Sequence, residues 1–158
     1  MTSQVKIKGE GKVVDGTSGK IVKVMANQES SYYLYENGQA RSCGRNDEGQ
    51  LGDGTFVNSS RKVPAVAVKL SVEILDLGSG PSSQSIFFIT DGDVYAAGLN
   101  DRYQLGMDNS ASQELPKRVL FENSVDVGRL SSSGTHTVAM GVSIIPTDFP
   151  TWVSPALI

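Results

Sequence analysis

His136 is the only histidine in the chain, so any imidazole chemistry has a single address. A nucleophilic triad needs that ring to serve a hydroxyl or thiol while an acid orients it. A structural or catalytic metal needs three or four converging ligands. The other candidates are one cysteine, Cys43, and four acids in turn-like positions: Asp91, Asp93, Asp101 and Asp108. Those acids do not follow the Asp-x-Asp-x-Asp-Gly spacing of a calcium loop, and read as solvated turn acids. Cys43 sits in an apolar-flanked, strand-like run, where cysteine serves as a small buried hydrophobe. A lone thiol also rules out an intramolecular disulfide.

Two glycine-rich stretches invite comparison with a phosphate cradle, which requires Gly-x4-Gly-Lys-Ser/Thr at the opening of a helix. Gly44, Gly49, Gly52 and Gly54 are followed by neither lysine nor a helical pattern. Gly16-Thr17-Ser18-Gly19-Lys20 has Val14 where the first glycine belongs, and Ile21 after the lysine. No catalytic residue, cofactor or metal is assigned, and the chain is read as a non-enzyme.

What must position these residues is a β-rich framework. The chain has 158 residues, 39% hydrophobic and 20% charged, enough apolar material for one globular domain. Its 17 glycines fall between apolar runs, as tight turns between short strands require. The net charge of −3 argues against binding nucleic acid through phosphates, which needs clustered Lys and Arg. The basic pairs Arg61-Lys62 and Lys117-Arg118 read as solvated loop residues. No run approaches the roughly 18 apolar residues of a membrane span, and the opening Met-Thr-Ser-Gln-Val-Lys lacks a secretory core. An intracellular, soluble protein is expected, in cytoplasm, nucleus or organelle matrix.

The chain repeats itself. Gly44, Asn46, Gln50 and Gly52 recur as Gly98, Asn100, Gln104 and Gly106, each 54 positions later. The upstream turns Asn37-Gly38 and Asp91-Gly92 keep the same interval, and Pro64 and Pro116 follow the two signatures. A third, partial copy is read by aligning Thr135–Met140 with Ser83–Phe88 and with Glu29–Tyr33. The expected division is an N-terminal strand or extension over 1–20 (with Val5-Lys6-Ile7-Lys8 as an edge strand), modules over 21–71 and 72–124, a partial module over 125–140, and a tail over 141–158. Each Asn-Gly or Asp-Gly pair suits a two-residue hairpin turn with both residues left-handed. The predicted fold is all-β, antiparallel, with modules stacked as in a partial or open propeller. Leu77-Gly78-Ser79-Gly80-Pro81-Ser82-Ser83 reads as a flexible loop insertion.

The run Gly44-x-Asn46-x-x-Gly49-Gln50-Leu51-Gly52-x-Gly54, with Pro64 and Val66 beyond it, resembles the signature of regulator of chromosome condensation repeats. His136 to Met140 resembles that family's His-Ser-x-Ala-Leu segment. The resemblance implies a structural role for His136, with a hydroxyl or backbone partner. It also shows departures: Ser30 and Gln84 for the usual histidine, Tyr103 at the place of Gly49, and Cys43 and Ala97 before the first signature glycines. Family members close rings of about seven blades, whereas this chain supplies little more than two. An open ring leaves sheet faces and edges to be covered. The expected function is therefore a non-catalytic protein-interaction or scaffold subunit. Its expected partner is a protein that closes or covers the propeller, or further copies of the chain. The family's best-known activity, guanine-nucleotide exchange on a small GTPase, is the alternative.

The tail carries Pro146, Pro150 and Pro155, which forbid a regular helix, among many apolar residues. Phe149, Trp152, Val153 and Leu157 are the candidate partner-binding residues, with Trp152 as the anchor. The tail is read as lying extended on a partner or on the open propeller edge, or as packing on its own domain.

Overall fold

Short apolar runs punctuated by glycine turns fold back on one another as antiparallel strands. The computed structural model describes strands Val5–Lys6 and Val13–Val14, residues 19–59, 65–121 and 126–141, and strand Pro155–Leu157. Every regular element among the described residues is a strand. β1 (Val5–Lys6) and β2 (Val13–Val14) pair with each other in a ribbon of their own, so Val5–Lys6 does not extend a blade.

Two four-stranded meanders follow. Blade one is β3 (Ile21–Ala26), β4 (Ser30–Tyr35), β5 (Ala40–Gly44) and β6 (Val66–Ala67). Blade two is β7 (Asp76–Gly78), β8 (Ser85–Ile89), β9 (Val94–Gly98) and β10 (Gln113–Arg118). Blade three has three strands: β11 (Val127–Ser132), β12 (Thr137–Gly141) and β13 (Pro155–Leu157). Pro64, Arg61 and Lys62 lie outside the described residues; Pro116 stands within β10.

The hairpins differ from expectation in one detail. Gly38 and Gly92 are left-handed, at φ 74° and 81°, but Asn37 and Asp91 are not. In blade one Gly38 N donates to Tyr35 O and Tyr35 N to Gln39 O. That pattern is a three-residue loop ending in a glycine bulge, which also suits strand twist. The Asn37 side chain accepts from Gln39 N at 3.1 Å.

Side chains alternate between the two faces of each blade. Tyr32, Leu34 and Ala40 face blade two and pack with its Leu77, Ile86, Phe88 and Ala97. The opposite side of blade two, with Phe87, Ile89, Val94 and Ala96, packs with Leu105 and Val119 and against Val127 and Leu130 of blade three. Blade two is thus covered on both faces, which is why β8 is an unbroken apolar run. β12 is covered on one face only, so Thr137 and Ala139 are buried while Val138 and Met140 are exposed.

The register corrects the alignment of the modules by one residue. Tyr32 pairs with Ser42, and Phe87 with Ala96. The partners are 54 positions apart but Tyr32 and Phe87 are 55, because the first hairpin holds one more residue. Ser30 therefore corresponds to Ser85, and Glu29, not Ser30, stands where module two has Gln84. The two serines do the same work, donating to Arg45 O and Leu99 O, each at 2.8 Å. Thr137 and Ala139 face blade two, the side that Ile86 and Phe88 turn toward blade one. Aligning Thr137 with Ser85 therefore slips one residue and changes face.

The segment expected to be a flexible insertion is instead part of the interface. Leu77 and Gly78 belong to β7, Ser79 and Ser83 are buried, and Ser83 Oγ lies 3.1 Å from Ser132 Oγ of blade three. A Cβ at Gly80 would stand 2.0 Å from Ser132 O, so small residues here reflect close backbone contact, not mobility.

Tyr32 is fully buried; its hydroxyl donates to Gln50 O at 2.8 Å and accepts from Asn27 Nδ2 at 3.1 Å. Burial raises the Tyr32 phenol well above its ordinary value, and burial followed by the Cys43 thiol does the same for Tyr33. A raised phenol pKa stabilises the fold below the unfolded value of about 10 and loses that contribution as pH rises beyond it. Ultraviolet difference titration should accordingly show at least two of the five tyrosines ionising only as the chain unfolds in alkali. All five ionising together around pH ~10 in the folded chain, as in denaturant, would contradict this burial.

Candidate interaction surface

Each glycine signature folds around one asparagine. Asn46 is fully buried; its Oδ1 accepts from Leu51 N at 2.8 Å, and its Nδ2 donates to Thr55 O at 2.8 Å and Val57 O at 3.2 Å. Gln50 folds back so that its Oε1 accepts from Glu48 N at 3.0 Å. Gly49 N donates to Asn46 O, Gly52 N to Gly49 O, and Gly54 N to Glu114 O of blade two. The N–H groups that a phosphate would need are thus committed within the fold. The second loop repeats the pattern: Leu105 N to Asn100 Oδ1 at 3.0 Å, Arg102 N to Gln104 Oε1 at 2.8 Å, and Gly106 N to Tyr103 O.

These loops are seats for the next blade. On loop one, Ser112 Oγ donates to Glu48 Oε2 at 2.7 Å, and a Cβ at Gly49 would stand 2.5 Å from Glu114 Cα. Only glycine, at φ 79°, lets the strand β10 approach so closely. On loop two the same left-handed place is Tyr103, at φ 60°, and its side chain is 56% exposed. Blade three meets this loop elsewhere, through Thr137 Oγ1 donating to Gln104 O at 2.8 Å.

The other candidates are dispersed. His136 is exposed, with Nδ1 2.9 Å from Ser133 Oγ and 3.3 Å from Thr135 Oγ1, a local turn contact of the hydroxyl kind the resemblance implied. Cys43 is half-buried beside Tyr33 Oη at 3.8 Å, in a cluster with Tyr35, Ala65 and Ile21. Asp91 and Asp108 are exposed; Asp93 binds Arg118 at 2.6 Å; Asp101 accepts from Gln104 Nε2 at 3.1 Å. Among the described residues no group of three His, Cys, Asp or Glu side chains could hold a metal ion. Asp47 is exposed, and its hydrogen bond from the Arg45 guanidinium holds its carboxyl below the ordinary range.

Of the partner-binding candidates, Phe149, Trp152 and Val153 lie outside the described residues. Leu157 closes β13, where its backbone pairs with Val138. The residues that composition did not single out are on the outer face of blade three. Val138 and Met140 are 37% and 41% exposed, flanked on β11 by exposed Arg129 and Ser131. No pattern in the sequence marked them, since Val138-Ala139-Met140 is an apolar run like Ile86–Ile89 of blade two. Blade one likewise leaves Val22 and Val24 exposed on β3.

Comparison with known proteins agrees with this geometry. Residues 91–140 match the family model of the regulator of chromosome condensation (RCC1) repeat. The chain is 33% identical over 105 residues to the regulator of chromosome condensation of Xenopus laevis, covering 65% of this chain and 24% of that protein. It is 28% identical over 133 residues to the human E3 ubiquitin-protein ligase HERC2, covering 82% of this chain and 3% of that one. Among solved structures it is similar to human WBSCR16, with a TM-score of 0.70 at 20% identity over 94% of this chain and 40% of that chain. Prp20p of Saccharomyces cerevisiae, described with its binding to Gsp1p and histones, gives a TM-score of 0.63 at 17% identity over 82% and 33%. The chain thus spans less than half the length of each.

Loops one and two should respond differently to exchange of their left-handed residue. Gly49→Tyr is expected to unseat β10, costing more than the about 1–3 kcal/mol of left-handed strain alone. Tyr103→Gly should change stability by less than about 1 kcal/mol, since relief of strain is offset by the entropy of glycine. Urea denaturation of both variants checks this, and equal losses would refute the assignment of a strand seat to loop one only.

Proposed function

Because the chain carries repeats of the regulator of chromosome condensation family, we propose that it is a non-catalytic protein-interaction or scaffold subunit whose blade-three face receives a protein partner. The observation that carries this reading is the contrast between two equivalent surfaces. The outer side of blade two buries Phe87, Ile89, Val94 and Ala96 beneath the next sheet. The outer side of blade three leaves Val138 and Met140 in solvent. A half-exposed apolar pair rimmed by Arg129 and Ser131 has the make-up of a contact patch, apolar at its centre and polar at its margin.

The yeast protein of similar fold supports the reading in kind: Prp20p has been solved with Kap60 bound and characterised for binding Gsp1p and histones. The exchange-factor alternative is supported by the family resemblance alone, and one fold hosts many functions. Nucleotide release from purified small GTPases separates the two. Ring closure by further copies of the chain is separated by measuring mass at several concentrations.

The direct test begins with a partner identified by co-purification and measures its binding by calorimetry. The double variant Val138→Lys, Met140→Lys should bind at least about tenfold more weakly, roughly 1.4 kcal/mol, while keeping its far-ultraviolet circular dichroism. Undiminished binding by the double variant would remove the blade-three face from the mechanism.

A further inference from the structure

In blades one and two the middle strand is flanked by the strand that follows it across the glycine turn. β5 pairs with β4 at five positions, Ser30↔Gly44 through Leu34↔Ala40, and β9 with β8 at five, Ser85↔Gly98 through Ile89↔Val94. Blade three departs from this. β12 ends at Gly141, and its second edge is taken by β13, from residues 155–157, at three positions: Val138↔Leu157, Ala139↔Ala156 and Met140↔Pro155.

We propose that β13 is a stand-in for the third strand of the repeat, covering the edge of β12 until a strand from a partner protein takes its place. Two features of β13 fit displacement. It makes fewer pairings than β5 or β9. Its first residue, Pro155, has no N–H to give to a ladder. In blades one and two the third strand is held further by its signature loop, where Ser42 Oγ donates to Leu51 O at 2.7 Å and the Ser30 and Ser85 hydroxyls hold Arg45 O and Leu99 O.

The same comparison specifies the incoming strand. β5 and β9 carry small buried residues, Ser42 in one and Ala96 and Ala97 in the other. Both end in glycine, because a Cβ at Gly44 or Gly98 would stand 2.4 or 2.3 Å from the carbonyl oxygen of Glu29 or Gln84, just before the middle strand. A matching partner offers an extended segment with Ala or Ser at its buried positions and a terminal glycine opposite the start of β12. Adding it is strand augmentation, in which backbone hydrogen bonds give affinity and small-residue pockets give selectivity.

This inference rests on the interaction reading and names the kind of partner; its test is independent of the blade-three face. The probe is a synthetic peptide with the sequence of residues 93–99, which contains β9. Hydrogen exchange is followed in the full chain, in a chain lacking residues 155–158, and in full-length Ala156→Pro. In both altered chains the β12 amides directed at β13 should exchange at least tenfold faster and regain protection with peptide, which should bind at least tenfold tighter than to the full chain. Unchanged β8 protection serves as the control for folding, and Ala156→Pro decides if the shortened chain unfolds. Unaltered β12 protection, or equal peptide affinity for full and altered chains, overturns the proposal. If Val138→Lys, Met140→Lys weakens partner binding while these measurements do not move, the interaction reading stands and the stand-in strand falls.

Discussion

A buried carboxamide at Asn46 and Asn100 is the interaction on which the stack of blades depends. A glycine-rich loop has more backbone donors and acceptors than a tight turn can pair within itself, and burying them unpaired costs about 1–3 kcal/mol each. The asparagine supplies an acceptor to Leu51 N or Leu105 N. In the first loop its amide donates to Thr55 O and Val57 O as well. The loop can therefore lie beneath the neighbouring sheet with these groups paired. With the loop rigid, Leu51 and Leu105 are fully buried, and β10 can rest on the first loop through Glu48 and Gly54. Loop satisfaction comes first, and blade-to-blade contact follows from it.

The interface that results is partly a contact of backbones. Gly80 against Ser132, Gly78 against Leu130 and Gly49 against Glu114 all bring main chain within a distance that a side chain would obstruct. Between these points sit the large groups: Tyr32, Phe87 and Phe88, all fully buried. Truncating such an aromatic typically costs about 3–5 kcal/mol. Large residues supply cohesion and small ones set spacing. The ion pair of Lys23 with Asp76, which also brings Lys23 Nζ within 3.1 Å of Leu77 O, adds an electrostatic tie between blades one and two. Both groups are about a third exposed, so solvent limits its contribution.

Much of this was legible in the sequence because the repeat places chemically demanding residues at a fixed interval. Asn46 and Asn100, Gln50 and Gln104, and the glycines between them stand 54 residues apart because they build the same loop. The hairpins were visible in Asn37-Gly38 and Asp91-Gly92. The correspondence of strands was harder to read. One extra residue in the first hairpin shifts β4 against β8, and with apolar residues at nearly every position of both strands nothing in the composition marks the slip. Ser79 and Ser83 misled for a related reason: small polar residues mark a mobile loop or a tight backbone contact, and only the presence of β11 distinguishes them. On the site, composition drew attention to the aromatic tail. The exposed Val138 and Met140 are commonplace residues whose significance lies in which face they occupy.

Tyr103 bears on how the second loop can be used. If blade three awaited an outer strand placed as β10 is, loop two should keep a glycine where loop one has Gly49. It carries instead a residue with a Cβ in the same left-handed backbone, at the spot where that strand would need to approach within van der Waals distance. Holding tyrosine there costs about 1–2 kcal/mol of conformational strain, and a strand in the position of β10 would meet its side chain. A fourth strand in blade three would therefore have to sit on loop two differently from the way β10 sits on loop one. On blade three the apolar pair Val138 and Met140 is exposed on the outer face, and β13 covers the edge of β12.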